Sequence, residues 1–241
     1  MNSRLKSNLK RLNQYLAVYL LAGKKVQCQL CGWQGKSFFE NSRCPKCSSL
    51  PRTRLIPFSY EYFKLNKESV GYVMHVGPNY AEQLWERRNN IGSPLIRVDL
   101  SFRQKMIDLQ MDICHIATEA NQLDLIICWH VLEHVPEDIS AIQEFYRVLK
   151  PGGSALISVP IHPPGRQETL EDKQIKAQDY LKVYGHPDHV RACGLDYYKR
   201  FEDIGFLVKE LRVKQLIESG SKDEINYYGL SEKHVVWCCT K

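Results

Sequence analysis

The sequence predicts an α/β chain: a doubly wound parallel sheet preceded by a small metal-held module. Three observations carry this. Residues 123–160, LDLIICWHVLEHVPEDISAIQEFYRVLKPGGSALISVP, read strand, loop, helix, Gly turn, strand. Residues 72–77, YVMHVG, and 94–100, PLIRVDL, are two further short apolar runs, with Gly77 and Asp99 at their ends. Residues 26–50 hold two CxxC pairs.

Short apolar runs of this kind are buried on both faces of a parallel sheet. Within 123–160 the strands are placed at 123–128 and 155–159. Pro136, Glu137 and Asp138 suit the first turn of the helix between them. Ile139, Ile142, Phe145 and Leu149 fall on one helical face. Lys150-Pro151-Gly152-Gly153 then stops the helix. Two such strands around one helix make a right-handed crossover.

A chain of 241 residues holds one large domain and a small module. Its 44% hydrophobic and 25% charged residues are the balance of a folded, water-soluble protein, which sets aside disordered and membrane-embedded classes. The net charge of +6 permits an acidic partner without requiring one. Four of the nine cysteines sit in paired CxxC spacing, which points to metal ligation in a reducing, cytoplasmic setting.

The N-terminus admits two readings. Arg4, Lys6, Lys10 and Arg11 before the apolar stretch 15–22 resemble a signal peptide. Leu5, Leu9, Leu12, Leu16 and Tyr19 instead fit an amphipathic helix over residues 1–25. The helix is preferred, because thiol ligands follow at once. The apolar stretch is far short of the ~20 residues of a membrane span, although contact with an anionic lipid surface stays open.

In the module, Cys28 and Cys31 form one pair and Cys44 and Cys47 the second. Each pair can place two thiolates on one tight turn, and two such knuckles complete a tetrahedral S4 zinc site. Gly32 and Pro45 suit those turns. Trp33, Phe38 and Phe39 would pack a module too small to own a core, so metal would supply much of its folding energy. Four ligands leave no open position, so this zinc would be structural. Four buried free thiols are the alternative. The linear division is residues 1–25, 26–50 and 51–70, the last a linking helix with Pro51 at its start and Pro57 interrupting it, then 71–241.

The stretch LDLIICWHVLEHVPED…EFYRVLKPGGSALISVP resembles the fourth to fifth strand of class I S-adenosylmethionine-dependent methyltransferases, in the small-molecule subgroup typified by ubiquinone-biosynthesis enzymes. The resemblance runs through most of 72–241. It implies a seven-stranded Rossmann-like sheet of order 3-2-1-4-5-7-6. Residues 194–204 would be a helix, 206–213 the sixth strand and 234–240 an antiparallel seventh. It also implies S-adenosylmethionine as cofactor. The family's first turn is usually acidic-x-Gly-x-Gly-x-Gly. Here His75 stands for the acid, and Pro78 and Tyr80 occupy glycine positions, while Gly77 still allows close backbone approach. Asp99 at a strand end can accept both ribose hydroxyls, with a helix N-cap as its bland alternative. Leu100 follows it. The resemblance sets Asp112 beside the adenine amino group and Ile113 on the ring. Ligands bind beyond the carboxyl ends of parallel strands, which sets Cys128, Trp129 and His130 near the sulfonium.

His130, Glu133 and His134 stand at i, i+3 and i+4 and share a face if residues 131–135 are helical. The set suits acid/base work or a divalent cation at the active site. In ubiquinone-type and small-RNA methyltransferases a Glu-x-x-Glu-His arrangement binds metal; here His130 replaces the first Glu. In the alternative reading Glu133 and His134 brace the loop. Residues 114–122 have a poor helical pattern. The polar stretch 161–193 is too long for a plain connection and reads as a substrate lid, carrying His162, His186, Asp188, His189 and Arg191. His134 and His189 are the candidate bases. The stretch 184–206 also resembles a bacterial subgroup with an N-terminal CxxC pair.

These readings combine as a cytoplasmic methyltransferase acting on an oxygen, less readily a nitrogen, of a small molecule or saccharide-type metabolite. The chain lacks the Asn/Asp-Pro-Pro-Tyr/Phe tetrad expected of enzymes that methylate exocyclic base amines. An RNA methyltransferase gripping RNA through the ribbon, Lys46, Arg52 and Arg54 is the rival enzyme; no clear aromatic platform accompanies those cations. A non-catalytic adaptor on the same fold is the third reading. The partner expected is a small molecule, with nucleic acid not favoured and no membrane span; the sequence does not fix the oligomeric state.

Overall fold

A computed structural model describes residues 3–65, 71–92, 94–101 and 106–241, leaving out the side chains of residues 3–11 and 41. The chain forms two compact units. One comprises Met1–Tyr62, Tyr80–Asn89 and Val213–Glu232; the other comprises Phe63–Asn79, Asn90–Arg212 and Lys233–Lys241.

The second unit contains the sheet. Its strands are β1 (Val73–Val76), β2 (Leu95–Asp99), β3 (Leu109–Gln110), β4 (Leu123–Trp129), β5 (Leu149–Ser158), β6 (Leu207–Arg212) and β7 (Val235–Thr240). Their order across the sheet is 3-2-1-4-5-7-6. Strands β1 to β5 pair in parallel, and β7 runs antiparallel to both β5 and β6. All four residues of β1 are buried, as a central parallel strand requires. The core joins Ile126, Cys128, Ala155, Ile157 and Trp237 of the sheet to Ala141, Ile142, Phe145 and Val148 of the helix Asp138–Val148.

That helix differs from the sequence reading at both ends of its apolar face. Ile139 is exposed, and Ala141 and Val148 complete the buried stripe instead. Leu149 is buried, but as the first residue of β5. The Lys150-Pro151-Gly152-Gly153 stretch therefore lies within a strand rather than in a helix-ending turn. The register shifts here, from Leu123↔Leu149 to Leu125↔Ser154, and Gly152 (φ +81°) takes the left-handed conformation in the bulge. Residues 114–122 form turns. Their carbonyls are met from the helix, where Arg147 donates to Ile116 and Thr118 at 2.8 and 2.7 Å.

The first unit opens with α1 (Ser3–Leu20), which leads into an antiparallel pair, Ala22–Gln27 with Gln34–Gly35. The helix expected over residues 1–25 forms, and its described apolar positions are not its packed face. Leu12, Leu16 and Tyr19 are exposed, whereas Ala17 is buried. Gln14 donates to the Pro45 carbonyl and the Val18 carbonyl accepts from the Trp33 indole at 3.1 Å each. Leu5 and Leu9 lie outside the described side chains. The two CxxC turns are built alike: Gly32 N–H donates to Cys28 C=O at 2.8 Å, and Ser48 N–H to Cys44 C=O at 2.9 Å. α2 (Pro51–Tyr62) runs through Pro57 without a break, so the expected interruption does not occur. Ser59 Oγ donates back to Leu55 and Ile56 carbonyls in the same stretch.

Arg54 of α2 is fully buried and spends its donors on backbone carbonyls of three segments. It reaches Ser49 and Ser42 at 2.9 Å each, Tyr228 at 2.8 Å and Gly229 at 2.7 Å. The Phe38 ring stacks under its guanidinium at 3.8 Å. A side chain on Gly229 would meet that ring, so glycine is required there. Arg54 thereby ties the knuckle region to the helical segment 213–229. Among the described residues, no helix is long and apolar enough to cross a membrane.

Candidate active site

The carboxyl ends of β1, β2 and β4 open on one cavity of about 560 Å³, within the range that holds small ligands. Gly77 follows β1 with φ +59°, and a Cβ there would stand 3.3 Å from Val131 and 3.8 Å from an Asp99 carboxylate oxygen. Glycine thus keeps the approach to Asp99 open. Asp99 ends β2; its Oδ1 accepts from Ser101 N–H at 3.0 Å. Its backbone carbonyl accepts from Met111 N–H at 2.9 Å, which brings the 111–115 turn to the cavity. There Asp112 accepts from Cys114 N–H at 2.9 Å, and this hydrogen bond holds its carboxyl below the usual range.

The far wall is the loop after β4. His130 adopts φ +55°, a conformation uncommon for a non-glycine residue, as the chain turns out of the strand. Residues 132–134 form one turn of 3-10 helix. The i, i+3, i+4 reading is thus met by a turn tighter than an α-helix, and the three side chains do converge. Glu133 Oε1 lies 3.4 Å from His130 Nδ1 and 3.8 Å from His134 Nε2. His189, from the 161–193 stretch, brings its Nε2 to 3.9 Å of the same oxygen. Burial raises the Glu133 pKa, but the His130 hydrogen bond and the neighbouring imidazoles outweigh it, and the net direction is down. Burial pushes His189 below its ordinary value, so it is a neutral imidazole near pH 7.

The expected site residues therefore divide. Gly77, Asp99, Leu100, Asp112, Ile113, His130 and His134 line the cavity. Glu133 is buried behind it, and His189 stands beside Glu133. His75, Pro78, Cys128 and Trp129 are not in the cavity lining. His75 and Cys128 are wholly buried in neighbouring strands at the centre of the sheet, paired at His75↔Ile127 and Val76↔Cys128. Burial also raises the Cys128 thiol well above its ordinary pKa, which leaves it a poor nucleophile. The sequence reading did not place Met111, Cys114, His115, Val135, Pro136, Glu137 or Ser140 at the site, and these also face the cavity. Their only linear signal was adjacency to Asp112 and to His134.

In the first unit, Cys28, Cys31, Cys44 and Cys47 are buried and come together. The sulfurs of Cys28 and Cys47 are 3.6 Å apart and those of Cys31 and Cys44 are 3.7 Å apart. A tetrahedron with zinc–sulfur bonds of about 2.3 Å has edges of about 3.8 Å. The donor set and spacing fit zinc, and the guanidinium of Arg54 donates to Ser49, whose hydroxyl stands 3.2 Å from Cys28 Sγ.

A family model described as "Methyltransferase domain" matches residues 56–211, more than half of the chain. No curated protein matches the sequence. Solved structures share the fold at low identity. An S-adenosylmethionine-dependent methyltransferase from Archaeoglobus fulgidus is 15% identical with a TM-score of 0.53, over 78% of this chain and 94% of its own. One from Mesorhizobium loti is 13% identical with a TM-score of 0.51, over 76% and 97%. The [4+2]-cyclase SpnF is 15% identical with a TM-score of 0.56, over 85% and 86%. The fold alone therefore does not fix the chemistry. The matched family model, the 3-2-1-4-5-7-6 sheet and the cavity at its carboxyl edge agree: the chain belongs to the methyltransferase-domain family, the class I S-adenosylmethionine-dependent methyltransferases.

Proposed function

We propose that the chain moves a methyl group from S-adenosylmethionine to an oxygen of a small molecule, in the cavity between Asp99 and Glu133. The observation that carries this is the pairing of two unlike ends in one cavity. At one end, Gly77 and the carboxylates of Asp99 and Asp112 suit a nucleoside; at the other, imidazoles converge on a buried carboxylate. The cofactor supplies a methyl already activated on a sulfonium. Asp99 would accept the ribose hydroxyls, Asp112 the adenine amino group, and Leu100 and Ile113 would pack on the rings. His75, Cys128 and Trp129 are proposed to act from the sheet, and Pro78 from the turn after β1, shaping the strand ends rather than touching the ligand. His134 or His189 would take the proton of an acceptor hydroxyl, with Glu133 stabilising the imidazolium. Residues 161–193, which bring His189 to Glu133, are proposed as the substrate lid. Nitrogen acceptors and saccharide-type acceptors fall within the same proposal, as does a cytoplasmic site of action. The RNA reading gains no observation of its own: Arg54, one of its three cations, is buried.

The cysteine cluster is proposed to hold a structural zinc ion. Cys44→Ser should lower zinc from one ion per chain toward none in freshly purified, reduced protein, measured by elemental analysis. It should also expose the first unit to protease, since metal supplies much of its folding energy. A zinc-free wild-type protein would refute the assignment.

Asp99→Ala should weaken S-adenosylmethionine binding by about 1.5–3 kcal/mol in calorimetry, the usual loss for charged hydrogen bonds. Unchanged affinity would remove Asp99 from the ribose site.

Turnover tests the bases. His134→Gln or His189→Gln should cut kcat by about 100-fold or more while cofactor affinity holds. The sign of the pH dependence follows from His189. Its lowered pKa keeps it neutral to below pH 6.5, so a rate that uses it as base should persist there and fall only at more acid pH. Near-wild-type turnover in both variants would mean that alignment alone drives transfer.

A further inference from the structure

The first unit carries an apolar helix face that the methyl-transfer reading leaves unused. Within α1, Leu12, Tyr15, Leu16, Tyr19 and Leu20 stand at i, i+3, i+4, i+7 and i+8, the spacing of a stripe that normally meets a core. Here the stripe points to solvent, and these five side chains are 45–71% exposed. The helix is held from its opposite side. Gln14 donates to the Pro45 carbonyl at 3.1 Å and to Ser48 Oγ at 2.6 Å. Ala17 is buried, and the Val18 carbonyl accepts from Trp33. The knuckle region therefore fixes this helix with its apolar row outward. Within the row the Tyr15 and Tyr19 rings meet edge-on, 5.5 Å between centroids.

Charge gathers in the same segment. The first 39 residues contain seven Lys and Arg and no Asp or Glu. The chain as a whole has 33 basic and 27 acidic residues, so the other 202 residues hold 26 and 27 and net −1. All of the +6 thus lies in the stretch that forms α1 and the antiparallel pair after it. Arg4, Lys6, Lys10 and Arg11 belong to α1. Lys24 and Lys25 follow on the first strand of the pair and are exposed. An outward row of Leu and Tyr accompanied by cations suits an anionic bilayer surface, where apolar burial and attraction to lipid phosphates add. Tyrosine, with an apolar ring and a polar hydroxyl, fits the headgroup level. A second copy of the chain would match the apolar row but oppose like charges. A nucleic acid would match the charge but leave the leucines in water.

We propose that α1 docks the chain on an anionic phospholipid surface. The helix lies in the headgroup layer, with Leu12, Leu16 and Leu20 toward the acyl chains and Lys24 and Lys25 against lipid phosphates. Among the described residues no helix is long and apolar enough to cross a membrane, so the attachment is peripheral and reversible. It also gives the outward stripe a purpose: a row of this size left in water is a liability unless something covers it. This docking goes beyond methyl transfer and does not depend on it.

The test is sedimentation of the full chain with vesicles of phosphatidylcholine, either alone or with about one third phosphatidylglycerol. The chain should pellet with the anionic vesicles and stay in solution with the neutral ones. Raising salt from about 0.1 to about 1 M shortens the screening length from about 10 to about 3 Å and should weaken binding at least tenfold. Changing Lys24→Gln and Lys25→Gln together should weaken it about 25-fold, about fivefold for each charge. Changing Leu12→Gln and Leu16→Gln together, at exposed positions where Gln keeps helix propensity, should weaken it about tenfold or more. Leu207→Gln, 74% exposed on β6 of the other unit, should change nothing. All these variants should keep the wild-type unfolding midpoint, so that a loss of pelleting reads the surface and not the fold. No pelleting, equal pelleting on both vesicles, or pelleting indifferent to the Leu12 and Leu16 changes would overturn the proposal. So would a dimer that those changes dissociate, or RNA binding that they leave intact, in a chain that ignores anionic vesicles; these would give the face to a second copy or to nucleic acid.

Discussion

The guanidinium of Arg191 has no exposed surface, yet it holds the wall of the cavity together. It donates to the carbonyls of Leu132, Val135 and Pro136 at 2.6, 2.7 and 2.9 Å. It also meets Glu171 at 3.0 Å and Asp138 at 3.4 Å. Arg200 pairs with the same two carboxylates at 2.7 Å each, and the Tyr197 hydroxyl donates to Asp138. A buried cation is costly unless every donor is met, and here all the acceptors belong to the pieces that must be aligned. The loop after β4 has little regular structure of its own, only one 3-10 turn. Arg191 supplies what the helix ladder does not, by satisfying that loop's carbonyls from the 161–193 stretch. The position of Glu133 follows from this clamp, and Val190 N–H adds a bond to the Glu133 carbonyl at 3.0 Å.

Buried charge therefore organises each unit separately. In the first, Arg54 gathers carbonyls of Ser42, Ser49, Tyr228 and Gly229 around the cysteine knuckles. In the second, Arg191 gathers those of the β4 loop. Arginine suits both places, because its rigid fork serves several acceptors at once and it does not lose its charge on burial.

Much of the sheet was legible because burial on both faces leaves a linear trace. The runs YVMHVG, PLIRVDL and LDLIICW each became a strand, and RVLKPGG marked the passage from helix to β5. Local periodicity was a weaker guide where contacts decide. It put Ile139 on the apolar face of its helix, but Ala141 is the buried residue there, and the amphipathic pattern of α1 did not reveal that Ala17 is buried. Pro57 carries a strong breaker signal, yet α2 continues through it because eight consecutive residues, Thr53 to Tyr60, are buried around it. The site was half legible. Asp99 and Asp112 announced themselves at strand ends, and HVLEH announced a cluster. His186, His189 and Arg191 were read as lid residues, with His189 a candidate base, but no spacing rule tied them to Glu133 some fifty residues away. The helical segment 213–229, which Arg54 ties to the knuckles, was likewise invisible to a linear reading.

The account turns on one location for the cofactor, the carboxyl edge formed by β1, β2 and β4. Ultraviolet photolabelling with methyl-labelled S-adenosylmethionine, followed by peptide mapping, tests it most directly. The account predicts label on peptides containing residues 76–77, 99–101, 111–115 or 130–140, displaced by unlabelled cofactor. Displaceable label confined to the cysteine-bearing unit, or on the β6 edge of the sheet, would contradict it.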